Sequence, residues 1–136
     1  MILVDTSVLV DFLKGTENEK TLLFSTIIEK NLPYGIPAYA FQEVLQGARN
    51  ENEYKILKEY LGSQTIYCLE ENIQNYEEAA RLYFDLRRNG VTLRSAIDIL
   101  IALIAIKNDL SLLHNDGDFD ALASCVKHLR ILVQLF

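Results

Sequence analysis

The sequence predicts a single α/β domain, residues 1–136, in which five short parallel strands form a sheet between two layers of helices, a three-layer α/β/α arrangement. Three observations predict it. Short apolar, β-branched runs alternate with longer amphipathic stretches. The 136-residue length suits one domain, and an apolar fraction of 50% can furnish one sizeable core. Charged residues make up 24% of the chain, enough to cover that core without the charge excess of a disordered polymer.

Ile2-Leu3-Val4 is the opening strand, uniformly apolar as a strand covered on both faces must be, and Asp5-Thr6-Ser7 then offers helix caps. A short helix over Val8–Lys14 ends at Gly15. A second, over Glu17–Lys30, places Leu23, Ile27 and Ile28 on a shared face and exits at Asn31 and Pro33. Tyr34–Pro37 reads as the next strand. The helix after it carries Phe41, Val44, Leu45 and Ala48 on one stripe, with Glu43 off that stripe. Glu53–Leu61 is amphipathic and closed by Gly62, and Thr65-Ile66-Tyr67 is β-leaning.

Asn72 is placed to cap a long helix that runs to Asn89-Gly90, its Ile73, Tyr76, Ala80, Tyr83 and Phe84 expected to cover the sheet. Ser95–Asn108 is apolar on several faces, the pattern of a buried helix. Leu112-Leu113 reads as an interior strand, Phe119–His128 as a short helix and Ile131–Val133 as the last strand. No repeat or low-complexity linker interrupts the series.

No export leader is visible, and the uncharged stretch Ile99–Ile106 is far shorter than the ~20 residues a membrane-crossing helix needs, so an intracellular, cytoplasmic protein without a membrane span is expected. Cys68 and Cys125 form no metal or redox motif and are expected to be small core residues. A net charge of -6 disfavours a broad landing surface for nucleic acid. A metal ion supplies positive field locally, so acidity does not exclude a nuclease. Arg49, Arg81, Arg87, Arg88, Arg94 and Lys127 are candidate phosphate contacts or simply solvated surface.

The acids fall at telling places, each with an ordinary explanation beside it. Asp5 stands at the carboxyl end of the first strand, where open parallel sheets expose their ligand crevice, and it or Ser7 can equally cap the following helix. Glu43, one turn before Gly47, either borders the core or is solvated helix surface. Asp98 lies beside an apolar helix, where a carboxylate needs donors, a cation or a proton; Ser95-Ala96-Ile97-Asp98 also fits a capping box, and Arg94 is a possible counter-charge. His114-Asn115-Asp116-Gly117-Asp118-Phe119-Asp120 delivers acids after another apolar strand. Its plain reading is a turn with Asp118 as helix cap, Phe119 in the core, and His114 and His128 as local polar contacts. Acids gathered from strand exits and helix starts suit Mg²⁺ or Mn²⁺, which prefer oxygen ligands and promote in-line attack on a phosphodiester.

The ordered set Val4-Asp5-Thr6-Ser7, Glu43, Arg94-Ser95-Ala96-Ile97-Asp98 and His114-Asn115-Asp116-Gly117-Asp118-Phe119 resembles PIN-domain nucleases, especially VapC-type toxins, across nearly the whole chain. The resemblance implies a five-stranded parallel sheet and an RNA-hydrolysing site in which Asp5, Glu43, Asp98 and Asp116 meet around Mg²⁺ or Mn²⁺. Asp118 would tune or join the metal site, and Thr6 or Ser7 would orient Asp5, a water or a phosphate. The resemblance also implies a homodimer, an RNA substrate and a cognate antitoxin protein that covers the catalytic groove.

Other α/β acid sites fit less well. A phosphoacceptor domain needs a lysine and a hydroxyl residue after later strands that are not evident, and a dehalogenase-like phosphatase needs Asp-x-Asp where Asp5-Thr6-Ser7 stands. A calcium loop starting at Asp116 has Ala121 in place of its turn glycine and Lys127 in place of its last carboxylate. No Gly-rich phosphate loop, serine elbow or Cys/His cluster is present. The alternative that remains is a catalytically inactive PIN-like module that binds RNA or protein.

Overall fold

Ile2, Leu3 and Val4 are all buried, as a strand sandwiched between helices requires. In the computed structural model, which describes residues 1–135, they form β1 (Ile2–Val4), followed by α1 (Thr6–Leu13), α2 (Glu19–Glu29), β2 (Tyr34–Pro37), α3 (Ala38–Gln46) and α4 (Glu51–Gly62). Then come β3 (Ile66–Tyr67), α5 (Ile73–Arg88), α6 (Ala96–Lys107), β4 (Ser111–Leu113), α7 (Gly117–Cys125) and β5 (Arg130–Ile131). The five strands make one sheet in the order β3-β2-β1-β4-β5, every pair parallel. Leu3 pairs with Gly35 on one side and with Leu112 on the other.

Alternation along the strands divides the core into two layers. Ile2, Val4 and Leu113 pack with Val8, Leu9, Phe24, Ile27, Val44 and Leu61 from α1 to α4, while Leu3 and Leu112 pack with Leu86, Ile99, Ile104, Phe119 and Leu122 from α5 to α7. The three-layer expectation is therefore met. α6 is the most deeply enclosed helix, with Ile101 to Ala105 buried in succession. Phe119 is fully buried, a contribution of roughly 2–3 kcal/mol that pins the start of α7 and with it the loop after β4. Strands β2 and β3 approach closely at Gly35, where a Cβ would stand 2.7 Å from the Thr65 carbonyl oxygen.

The element boundaries shift by one to three residues where caps decide them. Asn18 starts α2 with a reciprocal capping box to Thr21, and Asn50 starts α4 two residues earlier than expected. Four expectations are corrected. On α5 the buried stripe runs through Ala79, Leu82, Tyr83 and Leu86, while Ile73, Tyr76 and Phe84 are 72%, 44% and 40% exposed. Two apolar stripes lie about a third of the circumference apart on that helix, and helix–sheet docking selects one. On α2, Phe24 and Thr21 take the inward face with Ile27, leaving Ile28 exposed. Cys68 and Cys125 are exposed free thiols, because β3 lies at the sheet edge and Cys125 ends α7. The last strand is Arg130–Ile131 and stops before Val133. Among the described residues no helix is long and apolar enough to cross a membrane.

Candidate metal centre

From β1 the chain builds outward to β2 and β3, whereas β4 and β5 lie on β1's other side. The carboxyl ends of β1 and β4 therefore open on a crevice that neither set of connections covers, the switch point of a doubly wound sheet. Asp5 is the first residue beyond β1. Its amide donates to the Leu113 carbonyl at 2.9 Å, and its Oδ2 accepts from the Ser7 amide at 3.0 Å and the Ser7 hydroxyl at 2.6 Å. The capping role is thus real, with Ser7 holding Oδ2. Burial raises the Asp5 pKa, opposed by the bonds from Ser7.

Ser7, inside the first turn of α1, does more than present its amide to the Asp5 cap. While its hydroxyl donates to Asp5 it accepts from the Asn115 amide at 2.9 Å, tying the exit of β1 to that of β4. Thr6 reaches the other way, its hydroxyl donating to Glu43 Oε1 at 3.3 Å. Glu43 projects from α3 off the buried face of Ala40, Val44 and Leu45. Partial burial, then the charge of Asp5, lift its pKa.

Asp98 stands in the first turn of α6. The Ser95 hydroxyl caps that helix by accepting from the Ile97 amide at 3.2 Å, but the expected capping box does not close, and the Asp98 carboxylate accepts no hydrogen bond from the described residues. The usual box partner is Glu or Gln, one methylene longer than Asp. Burial, followed by the charges of Asp116, Asp5, Asp118 and Glu43, pushes the Asp98 pKa up to about 7.

After β4, Asp116 and not Asp118 caps α7, its Oδ1 accepting from the Asp118 amide at 3.0 Å. Asp118 is thereby freed to face the pocket. Arg94 bridges the two acids: its Nη2 donates to Asp116 Oδ1 at 2.7 Å, and its Nε and backbone amide donate to Asp118 Oδ2 at 3.2 and 3.1 Å. These carboxylates raise the Arg94 pKa, and the guanidinium remains open to water. His114 is buried beneath the loop, its Nδ1 accepting the Asp116 amide at 3.0 Å and its ring tilted against Phe119 at 5.2 Å.

The fold brings Glu43, Asp98, Asp116 and Asp118 to the wall of one pocket of about 300 Å³, with Arg94, Ser95 and Ile97. Asp5 is not on that wall. It lies 5% exposed at the strand end, and its charge is felt by both Glu43 and Asp98. Ligand oxygens of Asp98, Asp116 and Asp118 lie within 4.8 Å of one another. Donors about 2.1 Å from a magnesium ion lie at most about 4.2 Å apart, so the three fit a divalent cation after a small contraction. Five neighbouring carboxylates against one arginine make the excess negative charge that such an ion relieves. Larger apolar grooves, about 680 and 480 Å³, run along α5 and between α5 and α6, and hold none of the clustered acids.

A parallel sheet with an acid pocket at its switch point is the arrangement of a PIN domain, and the PIN-domain family profile matches residues 2–124, so the chain belongs to that family. Within it the chain closely resembles VapC-type toxins. It is 30% identical over 124 residues to Ribonuclease VapC11 of Mycobacterium tuberculosis and equally to VapC ribonuclease Mb1587 of Mycobacterium bovis, covering 90% of this chain and 92% of each relative. VapBC2 from Rickettsia felis bound to a DNA fragment from its promoter shares the fold, with a TM-score of 0.72 at 18% identity over 97% of this chain and 98% of that one. FitAcB from Neisseria gonorrhoeae does so at 0.72 and 20% identity, over 97% and 96%.

Two contacts in the site's construction escape a reading by residue type. Ser7 bridges strand exits 108 positions apart, which no local spacing announces. His114 looks like a local polar residue, and only its burial shows that its ring supports the acid loop.

Proposed function

We propose that this protein is a divalent-metal-dependent endoribonuclease, the toxin of a type II toxin–antitoxin pair, acting in the cytoplasm on RNA phosphodiester bonds. The observation that carries the reading is the gathering of Asp98, Asp116 and Asp118 oxygens within 4.8 Å, in a pocket shared with Glu43 and within reach of the Asp5 charge. The relatives named VapC ribonuclease support it over nine-tenths of the chain.

Asp5, Glu43, Asp98 and Asp116 are the proposed catalytic and metal-holding residues, with Asp118 beside them. Mg²⁺ or Mn²⁺ bound there supplies Lewis acidity toward the phosphate and lowers the pKa of water. The chain's own groups set the geometry. Ser7 holds Asp5 through Oδ2, and Thr6 orients Glu43. Arg94, charged and open to solvent at the pocket wall, steadies Asp116 and Asp118 and offers a cation to an approaching phosphate. Asp98, half-exposed with a pKa near neutrality, would have to be deprotonated to hold a cation.

The proposed partners are RNA, a cognate antitoxin that covers the pocket, and a second copy of this chain. The second copy is assigned to the α5–α6 face, where Tyr76 and Phe84 stay exposed along an apolar groove that also takes in Tyr83, Ile99 and Leu100. The deciding experiment incubates antitoxin-free protein with a broad RNA panel in Mg²⁺, Mn²⁺ or EDTA and maps the cut sites. Metal-dependent cleavage is expected. Folded protein that binds RNA but cuts nothing in either metal would replace this reading with an inactive binding module.

A further inference from the structure

We infer that His114 is a positioning residue that sets the place of Asp116 through the backbone; the inference rests on the metal-site reading above. The loop between β4 and α7 has no sheet or helix partners for its first amides, and side chains supply them. The Asn115 amide goes to the Ser7 hydroxyl at 2.9 Å, the Asp116 amide to His114 Nδ1 at 3.0 Å, and the Asp118 amide to Asp116 Oδ1 at 3.0 Å. The Asp116 N–H has the His114 ring as its acceptor. With it, the backbone at residue 116 and the carboxylate it carries are held in one orientation toward Asp98 and Asp118.

The ring is built for that single bond. Because Nδ1 accepts, the hydrogen of the neutral imidazole resides on Nε2. That atom is the one buried side-chain polar atom among the described residues with no hydrogen bond; Asp120 Oδ1 stands 3.2 Å away and attracts it by charge, without completing a well-formed hydrogen bond. An unsatisfied buried donor lowers stability, so a leucine or phenylalanine would serve packing alone better at a position 2% exposed. Buried under Phe119, His114 has no route to a substrate, which separates it from a general base. Its acceptor and its rigid fit are what the site uses.

The test compares His114→Leu with His114→Asn, whose Oδ1 can take the place of Nδ1. In the metal-free protein, the Leu variant is expected to stay folded by circular dichroism while its Asp116 amide exchanges at least about tenfold faster by NMR. Its Mn²⁺ dissociation constant should rise about 10–100-fold, and kcat should fall with KM little changed. The Asn variant should recover most of the amide protection and Mn²⁺ affinity. Wild-type protection of Asp116 in the Leu variant overturns the inference, as does equal damage in Leu and Asn, the signature of packing alone. Should the wild type bind no Mn²⁺ and cut no RNA, the functional reading fails by itself, because amide exchange still decides what His114 does.

Discussion

Replacing Asp98 with asparagine should move stability and activity in opposite directions. Burial and four neighbouring carboxylates raise the Asp98 pKa from 3.8 to about 7. Between about pH 4 and pH 7 the folded chain therefore holds a proton that the unfolded chain has released, so stability falls as pH rises through that window, and the whole penalty is present above it. Each pK unit corresponds to about 1.4 kcal/mol, but the side chain is only half-buried, and solvent screening reduces the nominal sum to about 1–2 kcal/mol. Asp98→Asn keeps the shape and removes the charge. At pH 8 in EDTA it should melt about 3–8 °C higher than wild type, and at pH 4 the two should nearly coincide. With Mg²⁺ or Mn²⁺ its RNA cleavage should fall by more than about 100-fold, since losing even an outer partner of a metal ligand costs 10–100-fold. Scanning calorimetry at both pH values and initial cleavage rates give the two readouts. A variant that melts lower at pH 8 and cleaves RNA at the wild-type rate would assign Asp98 to helix capping and refute the metal-site argument.

Ser7→Ala removes a donor to a buried carboxylate and an acceptor for the Asn115 amide. It should lower stability by about 1–3 kcal/mol, read as an earlier urea midpoint with an unchanged slope. Gly35→Ala places a Cβ 2.4 Å from the Tyr67 ring and 2.7 Å from a backbone oxygen that cannot step aside; a loss of about 1–3 kcal/mol is expected. Gly62→Ala, with open space around its Cβ at the end of α4, should instead gain about 0.5 kcal/mol, so equal losses at both positions would contradict the packing account. Phe84→Glu should convert the proposed dimer to a folded monomer in sedimentation velocity, and a surviving dimer would remove α5 from that interface.

The sequence by itself determined the architecture and the candidate acids, because both are local signals. Ile2-Leu3-Val4 can only be a strand covered on both faces, Ile99–Ile106 only a buried helix, and acids placed at strand exits and helix starts fall near one end of a parallel sheet whatever the loops do. Other features depended on groups distant in the chain. Which of α5's two apolar stripes meets the sheet was a choice between nearly equal faces, settled by helix–sheet docking. The cap of α7, expected at Asp118, fell instead to Asp116, because the loop after β4 is held by Ser7, from the far end of the chain, and by the buried ring of His114. The roles of the acids separate for the same reason. Asp5, Glu43, Asp98, Asp116 and Asp118 are chemically alike in sequence, but burial and mutual repulsion make Asp98 the acid pushed to neutrality while Asp5 lies buried off the pocket wall, and both facts depend on distances that only the folded chain defines.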